Sequence, residues 1–170
     1  MKFLSFACCL LLSVSCKKST PVIDPGDLSQ NLTADINRAG TDFHLSAAGN
    51  HTLYLKSVYP NSSNMINDTV ITISGSSGTH HLEIRLSNVN AAGVYQFGSY
   101  PPRRSIHALY IPNSSGVGYG DYYGNASGVL SGNLNITTLT DNHIAGTFNV
   151  ACTFSGTVAT LTNGSFSGKY

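Results

Sequence analysis

Residues 144–154 read IAGTFNVACTF. Ile144, Gly146, Phe148, Val150, Cys152 and Phe154 fall on one side of a two-residue repeat, and Ala145, Thr147, Asn149, Ala151 and Thr153 on the other. Successive residues of an extended chain point to opposite faces, so this stretch predicts a strand with one buried and one wet face. Cys152 falls in the buried set, where it reads as a small core hydrophobe rather than a reactive thiol.

The same alternation recurs on both sides of this strand. His80, Leu82, Ile84 and Leu86 alternate with His81, Glu83 and Arg85, and Leu130, Gly132, Leu134 and Ile136 with Ser131, Asn133, Asn135 and Thr137. Shorter candidate strands are residues 32–36, 42–47, 51–58, 69–74, 93–97, 106–111 and 158–162. Turn chemistry separates them at Gly49-Asn50, Pro60-Asn61, Gly75-Ser76-Ser77-Gly78, Pro101-Pro102, Pro112-Asn113 and Asn163-Gly164. No window holds the helical spacing over three turns. The count is about nine or ten short strands, and one wet face per strand implies antiparallel pairing. The expected fold is therefore an all-β sandwich or barrel-like domain. Residues 59–68 and 112–125 read as longer loops.

Composition agrees and excludes several functions. The chain has 170 residues, with 17 Gly, 22 Ser, 15 Thr and 15 Asn, and only 10% charged residues including a single glutamate, Glu83. Turns take up Gly and Asn, and wet strand faces take up Thr. Nine Lys and Arg against eight Asp and Glu leave no basic patch for nucleic acid. Between residues 31 and 170 there are six basic and six acidic side chains, little material for acid–base chemistry.

The amino terminus carries a different signal. Lys2 is followed by the apolar run Phe3–Leu12, too short for a spanning helix of about 20 residues. Leu12-Ser13-Val14-Ser15-Cys16 then resembles a bacterial lipobox, which implies an acylated Cys16. Each buried CH₂ contributes roughly 0.8 kcal/mol, so two or three acyl chains anchor a protein without a spanning segment. Cys8 and Cys9 would leave with the signal, so Cys152 has no partner for an internal disulfide. The expected organisation is a lipoprotein signal peptide at 1–15, a lipidated Cys and flexible tether at 16–30, and an antiparallel β-domain at 31–170. No Asp follows Cys16, which points to the outer membrane and leaves open which side it faces.

Constellations for chemistry are sparse. His80 and His81 point to opposite faces, and His44, His51, His107 and His143 lack metal-ligand spacing. No nucleophile elbow, calcium loop or phosphate-binding glycine motif occurs, so neither metal nor cofactor is expected. The best binding candidates are Tyr119, Tyr122 and Tyr123 in a glycine-rich loop, since tyrosine joins a flat apolar face to a polar tip. Arg103-Arg104 after Pro101-Pro102 reads as a solvated turn able to meet an anion. Asp68-Thr69-Val70 resembles an O-glycan acceptor pattern at Thr69.

Several pieces occur in a recognisable order. They are Leu32 to Asn37 with Phe43, Ile73-Ser74-Gly75, the Leu82/Ile84/Leu86 strand, Gly93-Val94-Tyr95, Gly132 to Thr137, Ile144 to Phe148, and Thr162-Asn163-Gly164-Ser165-Phe166. In this order the chain resembles the small lipoproteins of unknown function found in Bacteroidota. That resemblance assigns no activity and transfers no catalytic residue. The resulting expectation is a non-catalytic, lipid-anchored module that binds a glycan, a peptide or an envelope protein. The alternatives are a lipocalin-like barrel holding a small apolar ligand and, third, a hydrolase whose site is assembled only by the fold.

Overall fold

The computed structural model describes residues 30–59, 68–100, 104–112, 119–120, 131–154 and 157–170. Twelve strands lie in these residues. They are β1 (Asn31–Arg38), β2 (Thr41–Ala48), β3 (Thr52–Tyr59), β4 (Asp68–Ser77), β5 (His80–Ser87), β6 (Gly93–Gln96), β7 (Gly98–Tyr100), β8 (Arg104–Ile111), β9 (Tyr119–Gly120), β10 (Ser131–Leu139), β11 (His143–Phe154) and β12 (Thr157–Lys169). A short 3₁₀ turn, Gly49–His51, joins β2 to β3.

The first sheet runs β2-β1-β12-β11-β10-β6 and the second β3-β4-β5-β8-β7, with β9 also paired to β8. Every pairing is antiparallel. Two separate sheets make the fold a sandwich, not a closed barrel. Both inner faces are filled. Ile144, Phe148, Val150 and Cys152 of β11 meet Leu32, Ala34 and Ile36 of β1 and, from the other sheet, Ile71, Ile73, Leu82, Ile84, Leu86, Ile106 and Tyr110 in one buried cluster. Burying each large aliphatic or phenyl side chain contributes about 1.5–3 kcal/mol. Phe154 belongs to the same strand, and its side chain lies outside the described residues, as does Leu130.

Two expected turns are instead parts of strands. Gly75-Ser76-Ser77 continues β4, and only Gly78 and Thr79 form the turn. Asn163-Gly164 lies inside β12. Along β12 the buried residues are Ala159 and Leu161 before this point and Gly164, Phe166 and Gly168 after it. The pairing with β11 runs Val150↔Leu161 and then Phe148↔Gly164, so two residues of β12 oppose Asn149 alone. The same step occurs against β1, where Asp35 pairs Thr162 and Thr33 pairs Ser165. Asn163 is the extra residue of a β-bulge, with a left-handed φ of 50°. Asparagine tolerates that region far better than a branched residue. The bulge is tied from both sides: the Asn163 main-chain N–H donates to Asn149 Oδ1 at 3.1 Å, and its Nδ2 donates to Asp35 Oδ2 at 2.9 Å.

Past the bulge, aromatic rings and glycines alternate between neighbouring strands. Phe148 pairs Gly164, and Phe166 pairs Gly146. A Cβ at Gly164 would lie 2.5 Å from the Phe148 ring, and one at Gly146 2.7 Å from the Phe166 ring. Each ring therefore occupies the space that the opposite glycine leaves empty.

Candidate functional site

An open cleft of about 430 Å³ lies at one end of the sandwich. Its floor is apolar: Ile71 of β4, Val89 from the segment after β5, Leu139 at the end of β10, and the ring of Tyr170. Polar groups surround it at Lys56, Thr69, Asn88, Asn90, Thr140 and Asp141. Two anchors fix this shape. Asn88, at a left-handed φ of 56°, accepts the Thr69 N–H at 3.0 Å through Oδ1 and donates through Nδ2 to Asp68 Oδ1 at 3.0 Å. Its own N–H donates to the Thr69 carbonyl at 2.7 Å, so the 88–90 corner is fastened to the start of β4. Opposite, the Tyr170 hydroxyl donates to the Thr140 carbonyl at 2.7 Å, and its N–H to the Asn142 carbonyl at 3.2 Å.

Two side chains dominate the electrostatics of the cleft, Lys56 and Tyr170. The Lys56 ammonium lies 5.1 Å from the centroid of the Tyr170 ring, a cation–π contact. Burial, and then the negative charge of Asp141, hold the Tyr170 phenol above its ordinary pKa, so it remains a neutral donor. The cleft thus offers an apolar floor and neutral amide and hydroxyl groups, with one cation and one anion at its rim. Its volume falls in the range that holds small ligands, about 300–1,000 Å³.

A second, shallower pocket of about 320 Å³ lies over the β1–β2 hairpin. There His44 Nδ1 is 2.6 Å from Asp35 Oδ1, and Asn37 Nδ2 donates to Asp42 Oδ1 at 2.6 Å. The Asn163 hydrogen bond first, and the His44 bond second, hold the Asp35 carboxyl below its ordinary pKa. A depressed acid contributes stability above its unfolded pKa and loses it as pH falls through the folded value. Urea melts of the wild type and Asp35→Asn should therefore converge as pH falls below about 4. A constant gap from pH 6 to pH 2 would contradict this linkage. The pair is exposed to solvent, so the effect is small. The partner that His44 is seen to bond is the Asp35 carboxylate.

The other histidines are dispersed. His80 faces inward, stacks on Phe43 with ring centroids 3.6 Å apart, and bonds the Tyr110 hydroxyl at 2.7 Å. Burial and the Arg38 charge lower its pKa. His81 points to the opposite face and bonds Ser76, and His143 bonds Ser167. No three His, Cys, Asp or Glu side chains gather as a metal site among the described residues. Cys152 is fully buried, and burial pushes its thiol up to about 12, the behaviour of a core residue.

Of the residues singled out by sequence, Thr69 lies in β4 and lines the cleft. Tyr119 lies in β9 rather than in a loop, its backbone paired with Tyr110. Arg104 opens β8. Cys16, Arg103, Tyr122 and Tyr123 lie outside the described residues. No sequence signal marked the cleft, because its floor comes from residues 71, 89, 139 and 170, which are ordinary apolar positions until four segments converge. Among the described residues no helix is long and apolar enough to cross a membrane.

Comparison with known proteins adds a family and little else. No curated protein matches the chain, and neither does any solved structure. Residues 50–168 match a family described as a domain of unknown function, DUF6252. The match takes in the strands from β3 onward as far as Gly168 of β12 and every cleft residue except Tyr170, and leaves out β1 and β2, which the structure joins to β12. With most of its length inside that match, the chain belongs to the DUF6252 family.

Proposed function

We propose that this chain is a lipid-anchored outer-membrane protein, held through Cys16, whose β-domain is a non-catalytic binding module for a glycan, a peptide or a partner envelope protein. The cleft carries this reading. Its apolar floor, neutral polar rim and pair of opposite rim charges fit a small amphiphilic group such as a sugar ring or a peptide side chain. The filled core works against the lipocalin-like alternative, which needs an open cavity between the sheets. The lipobox supports the anchor and the envelope location.

The test uses the full chain in detergent on an array of bacterial glycans and peptides. Binding should weaken about tenfold in Lys56→Ala/Asn90→Ala, two exposed rim positions whose loss leaves the core intact. Binding to nothing on the array, or binding unchanged by the double substitution, would reject the cleft. Alanine at Tyr119, Tyr122 and Tyr123 in a parallel sample reports on the tyrosine segment. Palmitate labelling that persists in Cys16→Ala would reject the anchor.

A further inference from the structure

The outer face of the first sheet carries a continuous polar row that crosses all six strands. Gln96 of β6 pairs Asn133 of β10, and Asn133 pairs Asn149 of β11. Asn149 bonds the bulge residue Asn163 of β12, Asn163 bonds Asp35 of β1, and Asp35 bonds His44 of β2. At about 4.8 Å per strand, the row spans roughly 24 Å. A second row beside it runs through Asn135, Thr147, Ser165 and Thr33, with the last two hydroxyls 2.8 Å apart. From Gln96 to Asn163, and from Asn135 to Thr33, neither row holds an ionisable group. Asn133, Asn135, Thr147, Asn149 and Asn163 are all exposed.

We infer that this face is a binding surface for an extended, uncharged polysaccharide lying across the strands. A carboxamide presents donors and an acceptor in one plane, which matches sugar hydroxyls that donate and accept at once. Side chains fixed on neighbouring strands lose little freedom on binding. Between Gln96 and Asn163 the row neither attracts a polyanion nor has an ion to desolvate, and the Asp35–His44 pair lies beyond that stretch, so a neutral polymer laid along it is the partner whose charge it matches. Weak contacts repeated along one chain add up by multivalency. The bulge supplies an independent reason: Asn163 holds an uncommon left-handed backbone, tied from both sides, and bulges re-aim side chains at working surfaces.

This inference deepens the binding-module reading by naming a ligand class, at a surface separate from the cleft. The test incubates the full chain in detergent with insoluble cellulose and chitin, and with calcium alginate gel as the acidic polymer. Retention is expected on a neutral polymer, reduced about tenfold in Asn133→Ala/Asn135→Ala at an unchanged melting temperature, as loss of two amide contacts predicts. Thr79→Ala, at the exposed turn between β4 and β5, should be retained like the wild type. No retention on either neutral polymer, stronger retention on alginate, or equal retention of the row variant would overturn the inference. So would sedimentation showing a dimer that the row variant abolishes, since the face would then be a contact between copies. If neither neutral polymer retains the chain while Lys56→Ala/Asn90→Ala still loses binding on the glycan and peptide array, the row fails and the binding module stands.

Discussion

Deletion of Asn163 is expected to abolish the cooperative thermal transition of the domain, whereas Asn163→Gly should leave it within a few degrees of the wild type. Side chains on a strand alternate faces, so removing one residue inverts every position beyond it. With Asn163 present, Phe166 faces the core, and Ser165 and Ser167 lie on the opposite side. Without it, either Phe166 moves into water while the two serines enter the core, or Ala159 and Leu161 do the equivalent. The loss of one buried phenyl is about 2–3 kcal/mol. Each buried hydroxyl without a partner costs about 1–3 kcal/mol more. β12 sits between β1 and β11, so both ladders are affected. Together these losses approach the whole stability of an ordinary domain, about 5–15 kcal/mol. Glycine at 163 keeps the count and the left-handed backbone and loses only the bond to Asp35, about 1 kcal/mol. Circular dichroism melts check both variants. A deletion that melts like the wild type would disprove the bulge.

The second large effect is a coupling between Phe148 and Gly164. Phe148→Ala should destabilise by about 3–5 kcal/mol, because its 2% exposed ring leaves a cavity between tightly filled sheets. Gly164→Ala should cost about 1–3 kcal/mol, since the new methyl enters the volume of that ring. The double variant should cost clearly less than the two single costs combined. The methyl at 164 then occupies space that the ring has vacated, and the overpacking disappears. Urea denaturation of the four proteins closes the cycle. Strict additivity would show that ring and glycine do not share that space.

Much of the fold is legible in the residues. The 144–154 alternation correctly marks which side chains of β11 are buried as far as Cys152. All ten stretches read as strands fall within strands of the structure or overlap them. β7 and β9 escaped notice because three and two residues are too short to show a period. Asn163-Gly164 reads as a turn because the same left-handed preference serves both turns and bulges. A sign of the bulge was present all the same: the apolar positions change parity between Leu161 and Phe166.

The candidate sites were less legible. The polar row joins residues as distant as Asp35 and Asn163, and the cleft joins Lys56 to Tyr170. Neither pair has a sequence spacing that signals contact. The lone Cys152 and the dispersed histidines were readable, since strand parity alone sends His80 and His81 to opposite faces.

The sequence by itself determined that this is a β protein with one dry face per strand, because the two-residue period is a property of each strand alone. Only the tertiary structure decided that the sheets stay separate, that Asn163 is a bulge, and which polar residues stand side by side. Strand order and register arise from hydrogen bonds between segments far apart in the chain, and the strands' own alternation is compatible with many such pairings.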